Sequence, residues 1–264
     1  GTQNRNLPDS KIVNQGVEFS LGYDIIQSDD LTWSASLNMA YNDNMVESLT
    51  GEYITGAING QGLSGAFSQN IKEGYPLFSW YIRDFTGFDS DGQPTYTNDG
   101  DPLFVDKSAL PTLTAGFTTN VSYKNWNLNA FFNGQFGHYL YNATKNAFFT
   151  AGSFASARNV LAETLTSGES TSASADPSTR FLESGDFVRL QNLSLSYNVP
   201  LSGDGFFDAL VLTATGQNVF VITDYSGLDP EVSSRTDNGL PAIGIDYGAF
   251  PNPRTFTFGL NAKF

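Results

Sequence analysis

The sequence predicts an all-β protein, an antiparallel transmembrane β-barrel with long loops on one rim and short turns on the other. Three observations predict it. Long segments alternate apolar and polar residues with period two, which gives a strand two chemically different faces. They run for about 10 to 12 residues, the length at which a tilted strand crosses a bilayer. Four of them contain no charged residue, namely 31–42, 113–123, 126–137 and 210–220.

Composition supports this class and excludes others. Of 264 residues, 40% are hydrophobic, 14% aromatic and only 15% charged, against about a quarter charged in soluble proteins. Asn, Ser, Thr and Gly supply the polarity. The 13 Lys and Arg against 27 Asp and Glu leave a net charge of −14, so nucleic acid is excluded as a partner, because its phosphates require a basic surface. The absence of Cys excludes a disulfide scaffold and a thiolate metal site.

The first elements form a hairpin. In 12–26, Val17, Phe19 and Leu21 alternate with polar or small residues, and 27–30 is a polar turn. Residues 31–42 follow with an apolar or aromatic residue at every odd position. Two long alternating segments joined by a short polar turn are typical of paired antiparallel strands.

The same pattern returns along the rest of the chain. Residues 112–123 and 126–137 flank the two-residue turn Lys124-Asn125, which indicates a tight hairpin. Tyr123 and Trp126 stand where an interfacial aromatic girdle would lie. Further crossings are predicted at 77–87, 186–199, 209–220 and 254–264, which makes about eight in total.

The connections differ greatly in length. The segments 88–111, 138–185 and 221–253 are long and polar, and we assign them to the outside of the cell, with short turns at 124–125 and 200–208 in the periplasm. A count of eight puts the short turn 27–30 outside, so either 43–76 hides a crossing or that turn is an exception. A short helix is expected within 143–165, and 167–178 is expected to be mobile.

Short sequence motifs are spread along the chain from about residue 5 to 264. They are 14–21 (NQGVEFSL), 33–44 (WSASLNMAYNDN), 73–76 (EGYP), 91–96 (DGQPTY), 185–197 (GDFVRLQNLSLSY), 216–220 (GQNVF), 223–231 (TDYSGLDPE) and 251–255 (PNPRT). In type and order these blocks resemble the C-terminal part of SusC/RagA-like TonB-dependent outer-membrane transporters.

The resemblance implies that residues 1–264 are the C-terminal part of a plugged barrel of about 22 strands in the outer membrane of a Gram-negative bacterium. It implies TonB-driven import of oligosaccharides or peptides, a SusD-like surface lipoprotein partner, and no enzymatic activity. Phe264 resembles the signal read by the barrel-assembly machinery. The plug, the TonB box and the first strands are absent, and the chain does not begin with Met, so we expect it to be part of a longer precursor.

Candidate binding residues lie in the expected outer loops. Tyr139, Tyr141, Phe148 and Phe149 form an aromatic run that would stack on a ligand or else pack the loop. Asp89, Asp91, Asp99 and Asp101 cluster in one loop, but no Glu closes a Ca²⁺ loop, so an ordinary acidic turn is expected and no metal or cofactor is assigned.

Catalysis has little support in the sequence. The one histidine, His138, has no sign of a nucleophile or orienting acid beside it, so we expect a loop histidine. We expect Arg189 and Arg254 to pair with acids in the lumen or at the rim. Two other functions stay open: a non-transporting structural or assembly subunit built on the same barrel, and a secreted adhesin domain.

Overall fold

The computed structural model describes residues 9–58, 65–202, 205–233 and 242–264. Within them the strands are β1 (Lys11–Gln27), β2 (Leu31–Ser48), β3 (Tyr53–Ile58), β4 (Ala66–Ile71), β5 (Ser79–Ile82), β6 (Phe85–Phe88), β7 (Pro94–Tyr96), β8 (Leu103–Ser108), β9 (Leu113–Tyr123), β10 (Trp126–Phe136), β11 (Tyr139–Asn142), β12 (Leu182–Ser184), β13 (Phe187–Asn198), β14 (Ala209–Thr223), β15 (Ile245–Asp246) and β16 (Thr255–Lys263). The helix α1 (Ala143–Phe148) and four 3₁₀ turns (Asn98–Gly100, Ala151–Ser156, Ala162–Leu165, Thr179–Phe181) complete the description. No helix among these residues is long and apolar enough to cross a membrane.

Seven long strands form one antiparallel sheet, which we call the wall, in the order β1-β2-β9-β10-β13-β14-β16. Its register places most of the apolar residues of the seven strands on one face. Across four neighbouring strands, for example, Leu37 lies opposite Phe117 and Phe117 opposite Phe132, while Phe132 lies opposite Leu190. Because a slip of one residue would turn every side chain to the other face, this continuous match fixes the pairing. The predicted antiparallel sheet of long strands with two different faces is confirmed.

The short connections of the wall lie together on one rim. The amide of Lys124 donates to the carbonyl of Asp30 at 2.8 Å, and the amide of Asn198 donates to the carbonyl of Asn125, also at 2.8 Å. These bonds join the β1–β2 turn, the β9–β10 turn and the end of β13. The three long connections therefore leave from the opposite rim.

The predicted crossing at 77–87 is wrong. That stretch is divided between β5, which pairs with β4 and β8, and β6, which pairs with β7. Its alternation arises because Trp80 and Ile82 face a separate buried core. With this crossing removed the wall has seven strands, and the 27–30 turn falls on the same rim as the other short turns without a hidden crossing or an exception.

The long connections fold into a packed unit, which we call the cap: the described parts of 49–112, 137–186 and 224–254. It holds the four-stranded sheet β3-β4-β5-β8, the three-stranded sheet β12-β11-β15 and the β6–β7 hairpin. All three connections contribute to its core, which comprises Ile58, Trp80, Ile82, Ala109, Tyr141, Ala143, Ala147, Phe181, Leu182 and Ile245. Burial of this apolar surface is what stabilises the cap.

Of two expectations for the second long connection, 137–186, one is confirmed and one is wrong. Short helical turns are present within 143–165, as α1 and two 3₁₀ turns. The expectation that 167–178 is mobile is wrong, because this segment is held in the cap. Glu169 accepts two hydrogen bonds from Arg180 at 2.8 and 2.7 Å, and the amide of Ser170 donates to the carbonyl of Gly92 at 2.9 Å.

Candidate functional site: the lumen face and the cap

The outward face of the wall has the dimensions of a bilayer surface. On β2 the outward residues run from Leu31 to Tyr41, a rise of ten residues, or about 34 Å along the strand. A strand tilt of about 40° reduces this to a band about 25 Å tall, the height of the apolar band on outer-membrane barrels. Phe258 on β16 is 83% exposed on this face. This height matches the lipid-facing band of outer-membrane barrels.

Aromatic rings mark the rim that carries the short turns. Trp126 and Tyr197 contact each other with ring centroids 4.5 Å apart. Phe264 contacts Phe206 and Phe207 at 5.1 and 5.2 Å. Aromatic rings concentrate at the membrane–water boundary, which agrees with the girdle position predicted for Trp126. Phe264 is 71% exposed, and its role as an assembly signal stays a prediction.

The inward face of the wall is lined by hydrogen-bonded amides and hydroxyls. Asn129 donates to Asn120 at 2.6 Å, Ser122 to the Asn127 side chain at 2.8 Å, and Ser20 to the Asn38 side chain at 2.8 Å. Such side chains donate and accept without net charge. They make the inward face of the wall polar and mostly uncharged.

An aromatic ring interrupts this polar face near its middle. Phe131 on β10 pairs with Thr118 and therefore points inward. A groove of about 400 Å³ surrounds it. Its polar lining comes from Glu18, Ser20, Asn38, Thr114, Asn133 and Gln135. The sequence reasoning did not single out Phe131, although the adjacent pair Phe131-Phe132 breaks the alternation and was the available signal.

Arg189 on β13 is the centre of a buried cluster that ties the third cap connection to the wall. Its guanidinium donates to Asp229 at 2.5 Å, and its Nε lies 2.8 Å from a carboxylate oxygen of Glu231. It also donates to Asn218, whose amide donates to the carbonyl of Asn252. The expected pairing of Arg189 with acids is present. Residues from four of the sequence blocks meet here: 185–197, 216–220, 223–231 and 251–255.

The surroundings of Asp229 favour its charged form. Burial acts to raise the pKa of this carboxyl, but the amide of Glu231, the guanidinium of Arg189 and the amide of Asn252 outweigh it and hold the pKa below its usual value. The Glu231 amide donates at 2.9 Å and the Asn252 amide at 3.1 Å. Asp229 is therefore a negatively charged carboxylate in this cluster, and it pairs with the positively charged guanidinium of Arg189.

The four predicted ligand aromatics do not form one surface. Tyr141 is fully buried, with its hydroxyl donating to Asn146 at 2.9 Å, so its ring packs inside the cap core. Phe148 stacks on Tyr247 with centroids 5.8 Å apart, and Lys107 lies over the ring of Tyr139. Both rings are half-buried by packing within the cap. Ligand contact by these residues stays a prediction.

Phe149 lines a cavity. This cavity, of about 390 Å³, has apolar walls that include Phe149, Leu161, Leu228 and Phe250. Polar groups around it already have partners, since Asp246 accepts from the Tyr225 hydroxyl at 2.7 Å and Asn142 accepts from the Lys145 amide at 2.8 Å. The burial of Tyr225, together with Asp246, raises the pKa of the phenol, which keeps that hydroxyl a donor.

The residues considered for metal binding and catalysis take part in turns and packing. Asp89 accepts from the amides of Asp91 and Gln93 in the β6–β7 turn. Within the described ranges no three His, Cys, Asp or Glu side chains lie close enough to hold a metal. His138 is buried beneath Gly185, where an added Cβ would lie 2.5 Å from its ring nitrogen. Burial lowers the pKa of this imidazole, opposed by Asp186.

Comparison with known proteins identifies the architecture. No family model matches the chain. It is 32% identical to TonB-dependent receptor P3 of Formosa agariphila over 96% of its own length, and 28% identical to TonB-dependent receptor SusC of Bacteroides thetaiotaomicron over 95%. The chain is therefore homologous to TonB-dependent receptors, SusC among them, over nearly its whole length. It spans 29% and 26% of these two relatives, so it corresponds to under a third of a SusC-like receptor.

Solved structures of the same fold agree with the wall and the cap. The RagAB peptide importer in its open-open state superposes with a TM-score of 0.77 at 24% identity, covering 97% of this chain and 29% of that one. The RagAB peptide transporter gives a TM-score of 0.73 at 23% identity, with 97% and 30% coverage. The seven strands therefore have the fold of the barrel wall in these structures, as the sequence predicts.

Proposed function

We propose that the receptor containing this chain imports oligosaccharides or peptides across the outer membrane of a Gram-negative bacterium by a TonB-dependent mechanism. The observation that carries the proposal is the wall itself. One face is an apolar band of bilayer height and the other is a polar, mostly uncharged lining with hydrogen bonds between its side chains. A strand sheet with these two faces separates lipid from a hydrated passage.

The cap supports recognition outside the membrane. Its three connections share one core, so they form a fixed surface at the rim opposite the short turns. In a barrel of about 22 strands, of which 1–264 would form the C-terminal part, that surface would border the mouth. We propose that a SusD-like surface lipoprotein covers it, that TonB acts through parts outside this chain, and that the barrel-assembly machinery inserts the receptor by way of Phe264.

Uptake in the host bacterium tests import. A strain lacking the receptor gene is compared with its parent for accumulation of neutral oligosaccharides and of peptides, with and without a protonophore that removes the energy supplied to TonB. We expect uptake of one of these classes to fall in the deletion strain and in the parent treated with protonophore. Re-expression of the receptor restores it.

Two outcomes would contradict import. Unchanged uptake of both classes, together with loss of another outer-membrane complex in the deletion strain, would favour the structural subunit. A product that stays in solution without detergent would favour the adhesin and would also conflict with the apolar band.

A further inference from the structure

His138 stands where two parts of the chain pass between the wall and the cap. It lies between β10 and β11, while Gly185 and Asp186 lie between β12 and β13. The amide of Gly185 donates to the carbonyl of His138 at 2.9 Å, and the amide of Gly137 donates to the carboxylate of Asp186 at 2.7 Å. These hydrogen bonds join the two passages, and we call the four residues the junction.

The imidazole of His138 is enclosed in this junction. It is 3% exposed, and a Cβ added to Gly185 would lie 2.5 Å from its Nε2 and 2.7 Å from its Cδ2. Residues of this chain alone bury the ring, so further parts of the receptor can only bury it more. Among the described residues its Nδ1 has no hydrogen-bond partner. The ring is therefore held by packing rather than by a hydrogen bond of its own.

Two carboxylates lie around this imidazole. Asp186 has an oxygen 4.0 Å from Nδ1, but its side chain is half-exposed and already accepts from the Gly137 amide. Glu231 lines a cavity together with His138, and its carboxylate is paired with Arg189. The other described residues around that cavity are uncharged. A proton on His138 would therefore be compensated only in part.

We propose that His138 makes the attachment of the cap to the wall sensitive to acid: the neutral imidazole keeps the junction closed, and protonation of the ring opens it locally. A buried charge with an incomplete partner costs free energy that contact with water recovers. Opening the junction brings the ring to water, so proton binding favours the open form. The chain has one histidine, and the ordinary pKa values of its other side chains lie outside pH 5.5 to 7.5.

The size and sign of the effect follow from proton linkage. Burial lowers the pKa of His138 in the closed junction, and Asp186 opposes this shift only in part. In the open junction we expect the ordinary value of about 6.5. The stability of the junction is therefore fully present above about pH 6.5 and is lost as the pH falls below it. One proton shifts the opening equilibrium by at most about tenfold between pH 7.5 and 5.5.

Hydrogen exchange of the full-length receptor in detergent, measured by mass spectrometry, tests the proposal. Peptides that cover 137–142 and 182–187 report on the junction, and peptides that cover 113–123 report on the wall. Exchange rates at pH 7.5 and 5.5 are divided by the intrinsic rate at each pH, which gives the opening equilibrium. We expect protection of the junction to fall several-fold at pH 5.5, by about tenfold at most, while protection of the wall stays unchanged.

Three variants assign the effect to the ring. His138→Gln keeps a polar side chain that takes up no proton in this range, so its junction should be equally protected at both pH values. Asp186→Asn keeps an oxygen for the Gly137 amide but removes the charge that favours the imidazolium, so its loss of protection at pH 5.5 should exceed that of the parent. Asp91→Asn changes an exposed acid elsewhere in the cap and should behave like the parent.

Three results would overturn the proposal. Unchanged protection in the parent would show that protonation of His138 is not coupled to opening. Higher protection at pH 5.5 would mean that the imidazolium pairs with Asp186 and tightens the junction. An equal fall in the parent and in His138→Gln would assign the acid effect to another group. If His138→Gln does not fold, Asp186→Asn decides, and a loss equal to that of the parent would refute the proposal.

Discussion

The carboxylate of Asp229 accepts a hydrogen bond from the guanidinium of Arg189 at 2.5 Å, and both residues are almost completely excluded from solvent. The pair joins β13 to the connection that follows β14. The backbone amides of Glu231 and Asn252 also donate hydrogen bonds to this carboxylate. The cap is thus fastened to the wall by charge as well as by its apolar core.

Asp229→Asn should destabilise the receptor. It leaves the buried Arg189 charge without its main partner, which costs about 3 kcal/mol when a buried ion pair loses one member. Asp224→Asn changes an exposed residue of the same connection and should have little effect. Urea unfolding in detergent, followed by heat-modified mobility in gels, measures the difference. Equal midpoints for the two variants would contradict the account of the cluster.

The same carboxyl predicts a pH dependence. The folded-state pKa of Asp229 is lowered, so its contribution to stability is present above its unfolded pKa of about 3.9 and is lost as pH falls through the folded pKa. We expect the difference in unfolding free energy between the parent and Asp229→Asn to be constant from pH 5 to 7 and to shrink below about pH 4. A difference that grows on acidification would refute the sign.

A charge placed on each face of β2 tests which face meets lipid. Leu37→Arg puts a cation at the middle of the apolar band and should cost about 2–4 kcal/mol, reducing the amount of receptor in the membrane. Ser36→Arg places the same side chain on the lumen face, one residue away, and should be tolerated. Quantitative blotting of outer-membrane fractions compares them. Equal loss of the two variants from the outer-membrane fraction would indicate that both faces of β2 are packed.

Single-cysteine labelling tests the sidedness of the wall. The chain has no cysteine, so introduced thiols report their own position. Asp99→Cys lies in the cap and should react with a membrane-impermeant maleimide on intact cells. Asp29→Cys lies in the β1–β2 turn and should react only after the outer membrane is opened. The unmodified receptor gives the background, and labelling of Asp29→Cys on intact cells would reverse the assignment of the rims.

Burial separates two of the aromatic residues first considered for ligand contact. Tyr141→Ala removes a ring from the cap core and should cost about 3–5 kcal/mol. Phe149→Ala removes a half-buried ring at the edge of a cavity and should cost less than half as much. Protease digestion of the cap on intact cells, which follows local opening, distinguishes them. Comparable digestion of both would contradict the assigned packing.

Sequence periodicity predicted the wall well, because lipid and lumen impose opposite chemistry on alternate residues. The predicted 126–137 and 186–199 are Trp126–Phe136 and Phe187–Asn198 in the structure. The predicted end of the second strand at 42 falls short of Ser48. Past residue 42 polar pairs enter both faces, as in the Gln15–Asp43 and Asn14–Asn44 contacts, so the strand pairing continues without a regular apolar–polar alternation in the sequence.

The site was less predictable, since it depends on residues far apart in the chain. Arg189 and Asp229 meet only because β13 and β14 pair and the chain then turns back over the wall. Burial of Tyr141 requires the core shared with Trp80, 61 positions earlier in the sequence. Alternation assigns a residue to a face, but it does not say which loop will cover it. Phe131 could have been found by asking which inward position is not polar.

The number of wall strands has a consequence for closure. With seven antiparallel strands, β1 and β16 run in the same direction, and within the described residues β1 bonds only to β2 and β16 only to β14. Joining these two edges directly would create a parallel pair in an otherwise antiparallel ring. A fully antiparallel cylinder therefore requires an odd number of additional strands between them. Because of this parity, the wall is an arc that can close into an antiparallel barrel only together with further strands.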